Sequence, residues 1–299
     1  MNTMKATARW IRLCVPVCLA IALGAPMQAQ AQESLAASAV FHKGHTPNLR
    51  SGIAMIYDEE THRPLYAKNA DTVAPIASIS KLMTAMVILD AHLPMDERIT
   101  LTRADEDHYK GSRSRMRRGM MLTRGDLLKL ALLASENRAA AALARTFPGG
   151  TAAAVEQMNR KALALGMNDT HFVDPTGLHS ENVSTAQDLV KLVLAAQGYD
   201  AIQRATTTRV HDVEVGNNRQ MQFRNTNPLV RNAKWEIGLS KTGYISEAGR
   251  CLVMEARINQ RPVVIVLLDS WGRRTRVGDA NRVRRWMESN LSRAAEVRG

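Results

Sequence analysis

Ser78-Ile79-Ser80-Lys81 stands at the opening of an apolar helical stretch. Residues three apart on a helix share a face, so Ser78 and Lys81 can meet. A serine hydroxyl is a weak nucleophile until a base takes its proton. Lysine becomes such a base when burial and neighbouring positive charge drive it toward neutrality. Backbone N–H groups at a helix start can also steady an oxyanion. Ser135-Glu136-Asn137 adds a second hydroxyl, suited to relay a proton between Lys81 and a leaving amine, and a carboxamide, Asn137, able to bond a substrate amide. Lys241-Thr242-Gly243 adds a cation and a hydroxyl for a substrate carboxylate, with a glycine that lets substrate lie close to a strand. Each triplet alone is a weak signal. Three in this order, each at a suitable element boundary, point to acyl transfer through Ser78. Ser180-Glu181-Asn182 repeats the second spelling in a polar loop. Ser135 is preferred because it breaks two apolar helical runs, where backbone polar groups must be satisfied.

Those groups need a scaffold, and hydropathy periodicity supplies one. Residues 32–50 are polar and small and read as a flexible arm. Alternation through Ile53, Met55 and Tyr57, a turn near Asp58–His62, then Leu65 and Tyr66 predict a β-hairpin. Leu82, Met83, Met86, Val87 and Leu89 give Lys81–Ala91 helical spacing, ending before Pro94. A second helical block, Asp126 to about Arg145, is interrupted at Ser135-Glu136-Asn137 and punctuated by Pro148-Gly149-Gly150. A further helix spans Ala152–Leu165 with Gly166 as its C-cap, and another runs from a Thr185/Asp188 cap to about Gln197. Ile237–Lys241, Cys251–Ile258 and Val263–Leu268 read as consecutive antiparallel strands, and Arg273–Ala294 as a closing helix. The N-terminal hairpin is expected to join the C-terminal strands in one antiparallel sheet, with a helical lobe inserted and the active site at their junction.

Beyond the triplets, Pro75 to Thr84, Ser135 to Ala140, Asp174-Pro175-Thr176-Gly177-Leu178 and Lys241-Thr242-Gly243-Tyr244 resemble the low-molecular-mass penicillin-binding proteins, the serine DD-peptidases. Glu136 departs from the Ser-Asp-Asn spelling, and the endopeptidase subgroup carries the same departure. The resemblance covers nearly all of the chain from Ser51 onward. It implies an α+β penicilloyl-serine transferase fold, with a five-stranded antiparallel sheet flanked by helices plus a helical lobe. It implies Ser78 as the acylated nucleophile, Lys81 as its base and Ser135 as proton shuttle. Asn137, Lys241, Thr242, Gly243 and Tyr244 would hold substrate, and the oxyanion hole would use the N–H groups of Ser78 and Tyr244. The implied substrate is the D-alanyl cross-link of peptidoglycan, with β-lactam antibiotics as covalent inhibitors and neither cofactor nor metal. A D-alanyl-D-alanine carboxypeptidase uses the same chemistry and stays open as an alternative. So does a non-catalytic wall-binding or β-lactam-sensing module.

Composition sets the boundaries. With 45% hydrophobic and 23% charged residues the 299-residue chain is of the folded, soluble kind. Only 4% aromatics disfavours stacking platforms for nucleic acid. No apolar run is long enough to span a membrane, so no transmembrane anchor is expected. Lys5, Arg9 and Arg12, the apolar Leu13–Ala25 and Ala29-Gln30-Ala31 read as a signal peptide cleaved after Ala31. The expected organisation is therefore 1–31 leader, 32–50 arm and 51–299 catalytic domain, exported to the periplasm. The net charge, +12 for the whole chain and +9 after cleavage, suits an anionic environment such as a cell-wall polymer or a membrane surface. Of three cysteines only Cys251 survives processing, in an apolar strand where a buried inert thiol is expected. His42 and His45 lack further ligands for a metal site. Arg113–Arg118 and Arg273–Arg285 read as solvated basic faces, with Arg250 a candidate to reach substrate.

Overall fold

The computed structural model describes residues 46–215 and 219–296. The residues read as a leader, most of those read as an arm, and His42 and His45 lie outside the described residues. Chain order gives strands β1 (Ile53–Asp58), β2 (Arg63–Lys68) and β3 (Ala74–Pro75), then helix α1 (Lys81–Asp90). Next come β4 (Arg98–Thr100), β5 (Met121–Thr123), α2 (Arg124–Leu133), α3 (Asn137–Arg145) and α4 (Gly150–Ala164). They are followed by β6 (Val183–Ser184), α5 (Ala186–Ala196), α6 (Asp200–Thr207), β7 (Val210–Glu214) and β8 (Gln220–Arg224). The chain closes with β9 (Glu236–Ile245), β10 (Gly249–Ile258), β11 (Arg261–Ser270) and α7 (Thr275–Glu296).

The main sheet has the order β2-β1-β11-β10-β9, antiparallel throughout, so the N-terminal hairpin does join the C-terminal strands. Strand periodicity divides the core. Leu252, Met254, Ala256, Val263, Ile265 and Leu267 point to one side, where Val283, Trp286 and Met287 of α7 cover them. Leu49, near the end of the stretch read as an arm, is buried in the same layer. Asp279 anchors α7 there by accepting from the amide and hydroxyl of Ser51 at 2.7 and 2.6 Å. Cys251, Val253, Val264, Val266 and Leu268 face the helical lobe, built round the fully buried apolar side of α1. Among the described residues no helix is long and apolar enough to cross a membrane.

Two local readings change. Ser78 is not in the first turn of α1 but in a 3-10 turn, Ala77–Ser80, that precedes it. Lys241-Thr242-Gly243 does not end its strand, because β9 continues to Ile245. The sequence reading also passed over α6, a helix of only eight residues that buries Ile202, Ala205 and Thr206, and the β7/β8 hairpin, whose five-residue strands each bury one residue.

Candidate active site

From Ile76 to Ile88 every residue except Ser78 is buried, which leaves one hydroxyl at the surface of an apolar wall. Two glycines hold the turn that presents it. A Cβ on Gly177 would lie 2.0 Å from the Ala77 carbonyl oxygen, and Gly177 has φ +77°. A Cβ on Gly243 would lie 2.9 Å from the Ile76 carbonyl oxygen and 3.1 Å from the Ser78 amide nitrogen. The Gly177 loop and β9 therefore clamp the turn from both sides with bare backbone. Ala77 takes a left-handed φ of +48°, and its carbonyl accepts from Ser80 Oγ at 2.9 Å.

One turn later, Lys81 Nζ lies 2.8 Å from Ser78 Oγ, 2.7 Å from Asn137 Oδ1 and 2.5 Å from the Thr176 carbonyl oxygen. Burial pushes its ammonium down to about 7, against the opposing pull of Asp174 and Glu136. A neutral amine has two hydrogens and one lone pair. The Asn137 and Thr176 oxygens can only accept, so they take both hydrogens and leave the lone pair for the Ser78 hydroxyl. The carboxamide of Asn137 is itself fixed, donating from Nδ2 to Ser112 Oγ at 2.9 Å.

Ser135 occupies the break between α2 and α3 with a left-handed φ of +58°. Its hydroxyl accepts from Lys241 Nζ at 2.8 Å, and the same amine donates to the Thr242 carbonyl at 2.8 Å. Burial, then the positive charges of Lys81 and Arg276, hold Lys241 well below its ordinary value. Thr242 Oγ1 donates to Thr226 Oγ1 at 2.7 Å. Ser78, Lys81, Ser135, Asn137, Lys241, Thr242 and Gly243 thus line one cleft between lobe and sheet. Tyr244 follows with an exposed side chain stacked under Arg250, whose guanidinium carbon is 4.4 Å from the ring centroid.

Those distances bring one serine hydroxyl against a buried amine, Lys81, and a second against another, Lys241. The profile of the D-alanyl-D-alanine carboxypeptidase family matches residues 41–272. The chain belongs to that family. A D-alanyl-D-alanine endopeptidase of Escherichia coli is 47% identical over 272 residues, 91% of this chain and 87% of its relative. Another of Pseudomonas aeruginosa is 49% identical over 242 residues, covering 81% and 78%. A crystal structure of a Streptomyces DD-transpeptidase superposes with TM-score 0.76 at 27% identity, covering 82% of this chain and all of that one. The α+β fold that the resemblance implied is the one this Streptomyces structure shares.

Further groups support this cleft, some from the 174–178 segment that the resemblance marked and others to which the sequence reading assigned no role. Asp174 accepts from the Thr176, Gly177 and His179 amides at 2.6, 2.9 and 3.0 Å, shaping the loop whose carbonyl meets Lys81. Asn182, from the repeated Ser-Glu-Asn spelling, is buried behind the nucleophile and donates to Ser80 Oγ at 3.0 Å and to the Asp174 carbonyl at 2.8 Å. Asp107 caps the segment carrying Ser112, accepting from the Tyr109, Lys110 and Ser112 amides at 2.8, 2.9 and 2.7 Å. Arg276, inside the tail read as a solvated face, donates to the Gly243 carbonyl at 2.8 Å. Burial and the nearby charge of Arg250 lower its guanidinium to about 10. Arg276 therefore sits closer to Lys241-Thr242-Gly243 than the reading of Arg250 anticipated.

Proposed function

We propose that the chain is an exported serine DD-endopeptidase that hydrolyses D-alanyl cross-links of peptidoglycan through an acyl-Ser78 intermediate. The observation that carries this reading is the buried Lys81 amine 2.8 Å from Ser78 Oγ, with the Asn137 and Thr176 oxygens placed to take two of its hydrogens. The endopeptidase name of both relatives near half identity favours the cross-link over a terminal D-alanine.

Ser78 Oγ bonds to the D-alanyl carbonyl carbon as its proton passes to Lys81 Nζ. The oxyanion lies beside the Ser78 N–H and the Gly243–Tyr244 backbone. Collapse breaks the carbon–nitrogen bond, and the departing amine takes a proton handed on from Lys81 through Ser135. Asn137 orients the acyl-side peptide, while Thr242, with Lys241 behind it, meets the carboxylate on the leaving side. Water then bonds to the ester carbon, gives a proton to Lys81, and releases Ser78 as its hydroxyl is restored. A β-lactam enters the first half of this sequence and stays as a slowly hydrolysed ester. The N-terminal leader, followed by basic residues suited to an anionic wall, supports export to the periplasm.

Mass spectrometry after incubation with cross-linked muropeptide dimers and pentapeptide monomers tests the proposal, beside Ser78→Ala. Conversion of dimers to monomers, abolished by the substitution, is expected. Release of D-alanine from pentapeptide without dimer cleavage would replace the reading with a carboxypeptidase. No product from either substrate would leave a binding module.

A further inference from the structure

A groove of about 560 Å³ lies next to the Ser135 corner, lined by Arg115, Ala134, Glu136, Gln222, Phe223 and Arg224. Ala134 and Glu136 flank the serine whose hydroxyl faces Lys241, so the groove opens beside the proton path to the leaving amine. Thr226 extends the link on the other side: its amide donates to the Leu133 carbonyl at 3.0 Å, and its hydroxyl accepts from Thr242 at 2.7 Å. We infer that this groove binds the departing peptide of the cross-link, recognising its free carboxylates through Arg115 and Arg224; the inference rests on the endopeptidase reading.

Arg115 is built into the groove. Its guanidinium lies 4.3 Å above the Phe223 ring and donates to the Gln222 carbonyl at 2.6 Å, tying the 113–118 segment to β8. The ring beneath is buried, so the cation is held flat with further N–H groups available. Arg224 is exposed and makes no side-chain hydrogen bond or ion pair among the described residues. The acid of the groove, Glu136, is already engaged by Ser114 Oγ at 2.7 Å, and burial raises its carboxyl toward the neutral form. Two guanidinium groups against one engaged carboxyl leave a surplus of positive charge, and paired N–H forks suit carboxylates. A single departing D-alanine spans about 3.5 Å and ends at Thr242. The leaving group of a cross-link continues as a chain that can extend past Thr242 toward Thr226 and β8, so the groove concerns cross-linked substrates and not terminal residues.

The test compares kcat/KM on muropeptide dimers and on pentapeptide monomers for the native protein, Arg224→Gln and Arg115→Gln. Arg224→Gln is expected to lower the dimer-to-pentapeptide ratio about tenfold, mostly through KM. Converting the dimer's free carboxylates to amides is expected to cost the native protein a similar factor and to add nothing to the Arg224→Gln loss. Equal losses on both substrates would assign these arginines to structure, and an unchanged ratio would empty the groove of any role; either overturns the inference. Native protein that cleaves dimers while the ratio stays fixed sinks the groove alone. Native protein that never cleaves dimers sinks the endopeptidase reading and the groove with it.

Discussion

Lys241 on β9 and Glu255 on β10 lie on the same face of the sheet, opposite Val253 and Leu239 respectively. Both are buried, and burial is the first cause of the shifted ionisation of each, down for the lysine and up to about 7 for the glutamate. Lys241 shares its cleft with Lys81, Ser78 and Ser135. Glu255 borders a cavity of about 570 Å³ at the other end of β9, with Glu59, Glu236, Gln197, Gln203 and Arg257 on its walls. The contrast lies in what converges. Lys81 meets groups from the 78, 137 and 176 regions of the chain, one of them a hydroxyl left with the amine's lone pair. Glu255 meets the Gly238 amide and the repelling charges of Glu59 and Glu236. Perturbed ionisation marks reactive chemistry where a nucleophile and fixed acceptors share the spot, and marks stored electrostatic strain where they do not.

The largest effect should separate the two ends outright. Lys81→Arg keeps a positive charge but cannot surrender a proton, so acylation by a labelled penicillin should fall about 10³-fold. Glu255→Gln should leave that rate within about twofold. A comparable loss in both variants would break the contrast. The rate in native protein should also rise with pH through about 7, as Lys81 loses its proton and becomes the base. A flat profile between pH 6 and 8 would remove Lys81 from that role.

Next in size is Gly177→Ala. The new methyl would meet the Ala77 carbonyl at 2.0 Å, on a backbone whose φ of +77° already disfavours a side chain. The turn carrying Ser78 must move, so acylation should drop at least about tenfold, with a stability loss of about 1–3 kcal/mol by chemical denaturation. Retained acylation with lowered stability would show that the clamp serves only the fold.

The acid end should reveal itself in stability instead. The folded carboxyl of Glu255 titrates near 7 and an unfolded one near 4.5, so the native state holds the extra proton between those values. Stability is fully present below about pH 4.5 and is lost as pH rises through about 7. Glu255→Gln should therefore flatten the fall between pH 5 and pH 8, by an amount on the order of 2 kcal/mol. Lys81 acts with the opposite slope: its folded value is depressed, so the fold weakens as pH falls from the ordinary lysine value of 10.5 toward about 7. Measuring unfolding at both pH values in each variant tells the two contributions apart.

How far the sequence foretold this arrangement depends on the range of each signal. The hairpin, α1, the broken helix around Ser135 and the three C-terminal strands are carried by local periodicity, and the structure places them where the pattern did, within a few residues. The three motifs also found one another in space, because each marks an element boundary or a strand facing the cleft. What escaped has no local mark. Thr176 lies in a segment the resemblance marked, but the group it turns to Lys81 is a backbone carbonyl that any residue possesses, and Arg276 reaches Gly243 from a helix 33 positions further along. Ser112 is placed by Asp107 capping a loop with no periodicity at all. Ser78 in a 3-10 turn differs from a helical start by a backbone adjustment that Gly177 and Gly243 impose from distant segments.

The smallest effect sharpens the contrast most narrowly. Cys251 lies directly across from Gly243 in the β9–β10 register. Its thiol is fully buried, donates only to the Ala248 carbonyl at 3.5 Å, and is pushed by burial up to about 12. A thiolate is the reactive form, so this sulfur has neither the charge nor the access to react. Folded protein should resist a thiol reagent at pH 8 and take up one equivalent only after denaturation, and Cys251→Ala should keep penicillin acylation within about twofold. Rapid stoichiometric labelling of the native state would mean that the sheet opens beside Gly243, and the rigid backing assumed for Lys241 and Thr242 would go with it. Resistance would place a third buried ionisable group on this pair of strands beside an active centre yet outside its chemistry, and would confine reactivity to the groups that Ser78 can touch.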